Sequence, residues 1–439
     1  MGPLGHRLLA DYRMVPVLVV LVGALSILTI ADQAPLDDAA ARRLAATIRA
    51  AGPPDQRVLV VVRSQPEEQA FAKTLARELD PGNDERVKVV PGDPAAAREA
   101  LGRRAAAGGR LDAVAATPTT AGWLVLADIP AAFPTLGSPR VFVPTARRWP
   151  NFLRGDNLVN VANQIAVIAI MAIGMTAVII TGGIDLSVGS LAALSSVVAT
   201  RLIRDHLGGV DASAGGMVLA CATAIAACGL VGWGTGAVIT FFQVPPFIVT
   251  LATMLMAGGL ASILSGGESI HQVPESFVRL GRGADVAGIP NAVLLTVLLY
   301  VAAHVVLSRT RLGRHLYAVG GNAEAARLAG VPVRRVVRAA YVASGLLAGL
   351  GGVVLASQLR SGSPTYGAMY ELYVIAAVVV GGTSLGGGEG RVIGTLVGAL
   401  IIAVIQNGMN LAGIESYTQK IVLGLVILSA VLLDRLRRR

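Results

Sequence analysis

Long apolar runs are the feature that most constrains the fold of this chain. About ten segments are apolar over lengths near the roughly 20 residues that a helix needs to cross a bilayer. They cover residues 14–31, 158–180, 186–201, 216–240, 247–265, 290–308, 336–357, 371–381, 392–411 and 418–434. Only 15% of the 439 residues are charged, compared with about 25% in soluble proteins. We therefore predict an α-helical polytopic membrane protein with about ten transmembrane helices. Some of these helices should be broken: residues 371–381 are too few for a straight span, so this helix is either broken or continues into the glycines that follow it.

The arginines indicate how the spans are oriented. The loop at residues 309–335 carries six Arg and one Glu, and the C-terminal tail reads DRLRRR. Loops rich in Lys and Arg stay in the cytoplasm, so we predict a multi-pass protein of the inner (plasma) membrane with both termini cytoplasmic. The formal net charge of +10 then reflects membrane topology, and no nucleic-acid partner is expected. Residues 1–31 are interpreted as an uncleaved N-terminal transmembrane anchor.

Residues 32–150 differ from the rest of the chain, because they carry charges of both signs and no run long enough to span. Strands are predicted at 57–63, 86–90, 111–117 and 122–128, and helices at 67–80 and 93–109. Asp93 and Pro94 stand where a cap and a first helical residue are expected. This alternation predicts a small inserted α/β domain with a partly parallel sheet. The predicted topology makes it extracytoplasmic, and it shows no catalytic or metal-binding pattern.

Two glycine-rich stretches interrupt the apolar runs. TGGIDLSVGS at 181–190 aligns with VGGTSLGGGEG at 380–390, so that Gly182 matches Gly381 and Gly183 matches Gly382. They indicate an internal repeat with broken helices, although glycine-rich membrane loops can also look alike by chance. We interpret Asp185 as a helix cap at the cytoplasmic end of the second span. Together with Ser187 and the four glycines, it is predicted to form an inner gate.

Three motifs carry a resemblance to a known family. TGGIDLSVGSLAALS, TRLGRHLYAVGGNAEAARLAGV and AAVVVGGTSLGGGEGRVIGTLVGALII resemble the permease subunits of ribose/xylose/galactose-type ABC importers, the inner-membrane components of binding-protein-dependent transport. The resemblance covers residues 1–31 and 151–439. It implies a monosaccharide substrate, a partner ATPase, an extracytoplasmic sugar-binding protein and a homodimer or heterodimer of permeases. Residues 32–150 depart from the family, whose members join the first two spans by a short loop.

The resemblance also assigns a role to the arginine-rich loop. Glu324, Ala325, Ala326 and Gly330 match the motif that such permeases present to their ATPase, so this segment is predicted to couple the two subunits. A plain amphipathic loop helix is the alternative. The chain has no G-x-x-x-x-G-K-[ST] sequence, so it is not expected to be an enzyme, and the one cofactor involved, ATP, would bind the partner subunit.

Amides inside the spans are the candidates for a substrate path. Asn160, Asn163 and Gln164 share one helical face of the second span, and Gln406, Asn407 and Asn410 lie in the ninth. Such amides either line a path or hold helices together. Glu371 begins the eighth span and is either a surface residue or a carboxylate at the outer mouth. His304 is interpreted as a packed residue of its span and not as a proton relay.

Other functions stay open at this point. The same machine could carry another small polar solute, such as a branched-chain amino acid. An ion-coupled secondary carrier would need a buried carboxylate or a sodium site, and would leave the Glu324 motif unexplained. A membrane sensor would need a cytoplasmic signalling domain, and the predicted cytoplasmic segments are too short for one.

Overall fold

The computed structural model describes residues 14–53, 55–82 and 86–437. Residues 1–13 of the predicted anchor and the last two arginines of the tail lie outside the described residues. The chain divides into two compact units, one formed by Ile30–Pro150 and the other by the residues up to Thr29 together with those from Asn151 onward. Each unit is described by itself below.

The unit Ile30–Pro150 is built on a four-stranded parallel sheet with the order β3-β2-β4-β5. Its strands are β2 (Val58–Val62), β3 (Val87–Pro91), β4 (Ala113–Ala116) and β5 (Arg140–Phe142), while β1 (Ile30–Gln33) and β6 (Arg147–Pro150) form a separate antiparallel pair. The longer helices are α2 (Asp38–Ala51), α3 (Pro66–Leu79) and α4 (Pro94–Ala106). Helices α2 and α3 cover one face of the sheet and α4 covers the other, the arrangement that strands buried on both faces require.

Most of the predicted elements of this unit are confirmed, and one is wrong. The strands expected at 57–63, 86–90 and 111–117 are present, and Asp93 caps α4 by accepting the amide of Ala96 at 2.8 Å. Residues 122–128, expected to be a strand, instead contain the single-turn helix Leu124–Ala127. Two further single turns, Pro118–Ala121 and Ile129–Ala132, flank it. The apolar pattern misleads because Val125 and Leu126 pack onto a face of the sheet instead of joining its edge.

The second unit is a bundle of long helices. They are α1 (Met14–Leu28), α5 (Gly155–Ile180), α6 (Val188–His206), α7 (Ala214–Phe242), α8 (Pro246–Ser265), α9 (Asn291–Arg309), α10 (Arg311–Gly321), α11 (Ala323–Leu328), α12 (Val333–Leu359), α13 (Tyr370–Val380), α14 (Val392–Leu411) and α15 (Ser416–Arg437). A single turn also forms at Arg279–Arg282. Within the described ranges, six of these helices are long and apolar enough to cross a membrane: α5, α7, α8, α9, α12 and α14.

The remaining predicted spans are also helical, but they are shorter or carry charged residues. Helices α1 and α13 and the first part of α15 are apolar but shorter. Helix α6 carries Arg201, Arg204 and Asp205 in its last turns. Helix α13 stops at Val380, so it does not continue into the glycines, which was one of the two predicted alternatives. The described part of the chain is thus mostly helical with six candidate spans, and a total of about ten spans remains a prediction.

Helix α5 forms the centre of the bundle. In its most apolar stretch 89% of the residues are buried, compared with 22% for α7 and α9, so those two helices lie at the periphery. His304 on α9 is exposed, and its predicted packing is therefore wrong. Helices α7 and α12 approach closely because glycines leave room for the facing backbone. A Cβ at Gly232 would overlap the carbonyl of Tyr341, and one at Gly345 would overlap that of Cys228.

The two ends of the helical unit that flank residues 30–150 meet directly. The amide of Asn151 donates to the carbonyl of Thr29 at 2.9 Å, and the amide of Phe152 donates to the Thr29 hydroxyl at 3.1 Å. The insertion therefore leaves and re-enters the helical unit at a single point.

Candidate functional site

The first glycine stretch turns the chain back toward the core of the bundle. Helix α5 ends with Gly182 at φ +79°, where the amides of Gly182 and Gly183 donate to the carbonyls of Ile179 and Val178. This is a helix ending that favours glycine at the residue with positive φ. Gly183 then passes close to the Tyr341 ring, and a Cβ there would lie 2.6 Å from the phenol oxygen.

Asp185 is the only carboxylate of the two glycine stretches that is buried among the described residues, with 2% of its surface exposed. Its Oδ1 accepts the Ser187 hydroxyl at 2.6 Å and the Ser187 amide at 3.0 Å. Its Oδ2 accepts the hydroxyl of Ser344, on α12, at 2.7 Å. Asp185 accepts from Ser187, the N-cap residue of α6, and not from an amide of the first helical turn, so it is not itself the helix cap that the sequence predicted. It also ties the turn before α6 to α12, which the sequence did not indicate.

The position of Asp185 differs from the predicted end of a span. Its partner Ser344 packs against Gly174, where a Cβ would lie 2.7 Å from the Ser344 Cα. Gly174 precedes the end of α5 by six residues, or about 9 Å of helix rise. The Asp185 carboxylate is therefore bonded to a part of α12 that packs beside the interior of α5, and it lies inside the protein core. Irregular backbone at such depth is tolerated where protein surrounds it.

The second glycine stretch repeats the first ending, one residue out of step with the sequence alignment. Gly382 has φ +91°, and the amides of Gly382 and Thr383 donate to the carbonyls of Val379 and Val378. Gly182 thus corresponds to Gly382, and Gly183 corresponds to Thr383. The alignment of Gly182 with Gly381 was wrong because the left-handed residue, and not the first glycine, marks the equivalent position.

Helix α10 contacts both glycine stretches. The amide of Gly388 donates to the carbonyl of Ile180 at 2.9 Å, which joins the second stretch to the end of α5. Gly320 on α10 lies against both groups, and a Cβ there would overlap the Ile180 carbonyl. The hydroxyl of Tyr317, one turn earlier, donates to the carbonyl of Gly390 at 2.7 Å. We call this three-way contact of α10, Ile180 and residues 387–390 the glycine junction.

The predicted coupling segment directly follows α10. Asn322 caps the short helix α11 by accepting the Ala325 amide at 2.9 Å. The helix ends at Gly330, which has φ +83°, and the amide of Val331 returns to the carbonyl of Ala326. Ala326 is buried, whereas Glu324 and Ala325 are exposed, and so is Leu328 at 75%. The segment therefore presents a short helix with an apolar tip, placed between α10 and the long helix α12.

Glu324 belongs to a local ion pair on this segment. The Arg327 guanidinium donates to both of its carboxylate oxygens, and this hydrogen bonding holds the pKa of Glu324 below its usual range. Both side chains are exposed, so the pair contributes little to stability. They are available to a partner surface.

The predicted path amides take part in contacts between helices. Asn407 on α14 exchanges two hydrogen bonds with Asn157 on α5, at 2.9 and 3.0 Å. Asn163 accepts from the Gln358 amide through its backbone carbonyl at 3.0 Å, and Asn410 accepts from Gln419 at 2.8 Å. The other members of the set are exposed or half-buried: Asn160, Gln164 and Gln406. Sequence reasoning missed Asn157, although it lies three residues before Asn160 on the same helical face.

Glu371 faces another helix at its position in the first turn of α13. Its side chain is half-buried, and a Cβ at Gly189 would lie 2.5 Å from its Oε2. Gly189 belongs to the first turn of α6, whose helix dipole favours a negative charge there. The carboxylate thus lies beside the start of α6, within the helical unit.

Comparisons with known proteins agree with this architecture. A family described as the permease component of the branched-chain amino acid transport system matches residues 157–431. The chain is 44% identical over 289 residues to the ribose import permease protein RbsC of Escherichia coli (strain K12), covering 65% of this chain and 87% of that protein. It is 45% identical over 288 residues to the RbsC protein of Bacillus subtilis (strain 168), with the same coverage.

A third relative is a permease named for a different sugar. The chain is 34% identical over 314 residues to the D-allose transport system permease protein AlsC of Escherichia coli (strain K12), covering 72% of this chain and 90% of that protein. No solved structure matches the chain. With six candidate membrane-spanning helices among the described residues and a family match over most of its length, the chain belongs to this family of transport permease components.

Proposed function

We propose that this chain is the membrane-spanning permease subunit of an ATP-driven ABC importer for a monosaccharide. The observation that carries the proposal is the identity of 34–45% to permeases named for ribose and D-allose. A separate ATPase supplies the energy, since the chain has no phosphate-binding loop sequence. Substrate passes by alternating access, in which the loop at Asp185 and the glycine junction belong to the inner gate.

The family description favours one other substrate class, the branched-chain amino acids. The two are separated by reconstituting the permease with its ATPase and binding protein in vesicles and measuring ATP-dependent uptake of labelled ribose and leucine. Uptake of the sugar alone supports the proposal. Uptake of leucine alone, or uptake driven by an ion gradient without ATP, would contradict it.

The assembly that we propose follows from the arginine-rich segments. Two permeases, identical or not, pair in the inner membrane with both termini in the cytoplasm. The segment 309–335 faces the ATPase, and the extracytoplasmic face receives a sugar-binding protein. An ion-coupled carrier is less well supported, because the buried carboxylate of Asp185 is occupied by three protein donors and the exposed helix α11 would have no role.

Helix α11 is proposed to dock on the ATPase through Glu324, Ala325 and the exposed Leu328. Gly330→Val is expected to lower the amount of sugar transported per ATP hydrolysed by about tenfold. A β-branched residue strongly disfavours the positive φ at this position and would reorient the helix. Gly330→Asn is the matched control, because asparagine tolerates the left-handed conformation. Uptake and ATP hydrolysis are measured together in proteoliposomes.

Glu324→Lys tests the proposed docking surface of helix α11 by reversing one of its charges. It removes the pair with Arg327 without touching a buried group, so the protein should insert and fold normally while uptake falls. Normal uptake in both Glu324→Lys and Gly330→Val would contradict the docking role.

The amide side chains of the second and ninth predicted spans are proposed to line the sugar path. Their hydrogen bonds to other helices indicate which of them also hold helices together. Asn163→Leu should lower uptake several-fold with little change in melting temperature. Asn407→Leu should lower the melting temperature as well, because it leaves Asn157 without its partner, at a cost of about 1–3 kcal/mol. Uptake and thermal unfolding are measured for each variant, with Asn157→Leu/Asn407→Leu as the control that removes both partners. Normal uptake by Asn163→Leu would exclude it from the path.

Residues 30–150 are proposed to form an extracytoplasmic domain that shapes docking of the binding protein. Since Thr29 and Asn151 are hydrogen-bonded, a short Gly-Ser linker can replace the domain without strain in the helical unit. The half-saturating concentration of binding protein for uptake should then rise several-fold while the maximal rate changes little. An unchanged saturation curve would show that the domain has no part in docking, and cleavage of the segment only from the cytoplasmic side would overturn its placement.

A further inference from the structure

Two arginines stand at the aromatic end of a peripheral helix. Arg334 and Arg338, in the first turns of α12, line a cavity of about 290 Å³ together with Trp233, Phe241 and Phe242 of α7. The two arginines are four residues apart and so share one face of α12. The backbone fixes their place, because Gly236 of α7 packs onto the Cα of Arg338, where a Cβ would lie at 2.9 Å.

Neither guanidinium is neutralised by the protein. Arg338 donates through Nε to the carbonyl of Arg334 at 3.2 Å, and in the described part of the chain neither arginine forms an ion pair. Two cations close together on one helix repel each other, and a shared anion would relieve that repulsion. Arginine binds phosphate with two parallel hydrogen bonds and therefore suits such a group better than lysine does.

An apolar groove continues from this cavity. Val238 of α7 lines both, and the groove of about 500 Å³ then follows Ile248, Met256 and Leu260 of α8. The stretch from 248 to 260 rises about 18 Å, slightly more than half of the roughly 30 Å hydrocarbon core. The hydroxyls of Thr235 and Thr253 bond to each other at 3.0 Å and to their own helices, so they need no partner from the groove. The groove is therefore about one leaflet deep and its polar groups are satisfied.

We propose that an anionic phospholipid occupies this site, with its phosphate on Arg334 and Arg338 and an acyl chain in the groove between α7 and α8. The two arginines lie at one end of the groove and apolar side chains line the rest of it. This arrangement complements a phospholipid, which has an anionic headgroup at one end and apolar acyl chains at the other. The site lies on α12, the helix that begins after the coupling segment and holds Asp185 through Ser344. The inference concerns lipid binding and does not depend on which solute is transported.

Trp233 offers a direct readout. The chain has three tryptophans, and the other two, Trp123 and Trp149, lie in the unit of residues 30–150. In a Trp123→Phe/Trp149→Phe background, the full-length protein is reconstituted in vesicles in which brominated phosphatidylglycerol or brominated phosphatidylcholine replaces the ordinary lipid stepwise. Quenching of Trp233 fluorescence gives the relative affinity of the site for the two lipids.

Each arginine near a membrane surface is worth roughly a fivefold preference for an anionic lipid, so the pair should give up to about 30-fold. Arg334→Gln/Arg338→Gln should bring the ratio close to one. Arg309→Gln/Arg335→Gln removes the same charge from exposed positions of the neighbouring segment that do not line the cavity, and it should keep most of the preference. High salt should weaken the preference only in proteins that retain Arg334 and Arg338.

Three results would overturn the proposal. Equal loss of preference in both double variants would mean that general surface charge attracts the lipid. A ratio near one in the unaltered arginine background would mean that the cavity does not prefer an anionic headgroup over a zwitterionic one. Failure of both brominated lipids to quench Trp233 would mean that protein, such as a second copy of the chain, covers the groove.

Discussion

Gly320→Ala is expected to reduce sugar transport at least about tenfold, whereas Gly321→Ala should leave it nearly unchanged. A methyl group at Gly320 would overlap the carbonyl of Ile180, while one at Gly321 meets nothing within 4 Å. Overpacking of this kind costs about 1–3 kcal/mol. Gly321→Ala should even stabilise α10 slightly, because alanine is the better helix former.

The two variants also distinguish whether Gly320 transmits movement between the coupling segment and the glycine stretches or only allows the helices to pack closely. If the glycine junction carries movement from the coupling segment to both glycine stretches, Gly320→Ala should lower the amount of sugar transported per ATP hydrolysed. If the residue only packs, uptake and stimulated ATP hydrolysis should fall in proportion to the amount of folded protein. Tyr317→Phe, which removes one hydrogen bond to Gly390 without adding volume, should show a smaller effect in the same direction. Equal uptake by Gly320→Ala and Gly321→Ala would exclude the junction from transport.

Asp185→Ala is expected to abolish transport and to lower the free energy of unfolding by about 3 kcal/mol or more. The substitution leaves the Ser187 amide and the hydroxyls of Ser187 and Ser344 without their acceptor in a buried place. Asp185→Asn should retain uptake within about threefold, because its amide oxygen can accept from Ser187 and its NH₂ group can donate to Ser344. Thermal unfolding and ATP-dependent uptake are measured for both variants.

The comparison of alanine with asparagine distinguishes a structural acceptor from an ion or proton carrier. A carrier carboxylate needs its charge, so Asp185→Asn would stop transport in an ion-coupled mechanism even though the fold was preserved. Ser344→Ala provides a further control, since it removes only the bond to α12 and should cost less than Asp185→Ala. A fully folded but inactive Asp185→Asn protein would contradict the role that we assign to Asp185.

The sequence predicted secondary structure correctly where a local residue pattern is compatible with only one conformation. Apolar length predicted the helices because a bilayer requires uninterrupted intra-helical hydrogen bonding, and Tyr370–Val380 ends where the run does. The strand at Val58–Val62 was readable because a strand covered on both faces is continuously apolar. Residues 122–128 were misread because a short apolar run fits a single helical turn equally well.

The sequence did not predict how deeply a residue is buried or which distant residues it contacts. Asp185 looked like a carboxylate at a span end, yet it is buried and bonded to Ser344, whose backbone packs against Gly174 inside α5. The partner Ser344 is 159 residues away, and no local spacing indicates such a pair. The match of Gly182 to Gly382 also required backbone angles, since two adjacent glycines look the same in sequence.

The sequence by itself thus determined the apolar helices, the alternation of strands and helices within residues 30–150 and the polar groups available at the two glycine stretches. These follow from hydrophobic length, periodicity and backbone propensity, which act within one segment. Only the tertiary structure decided that α10 meets both stretches through Gly320, that Asp185 links α6 to α12, and that two arginines end an apolar groove beside Trp233. Those features arise from close approach between distant segments, and close approach depends on how all the helices pack together.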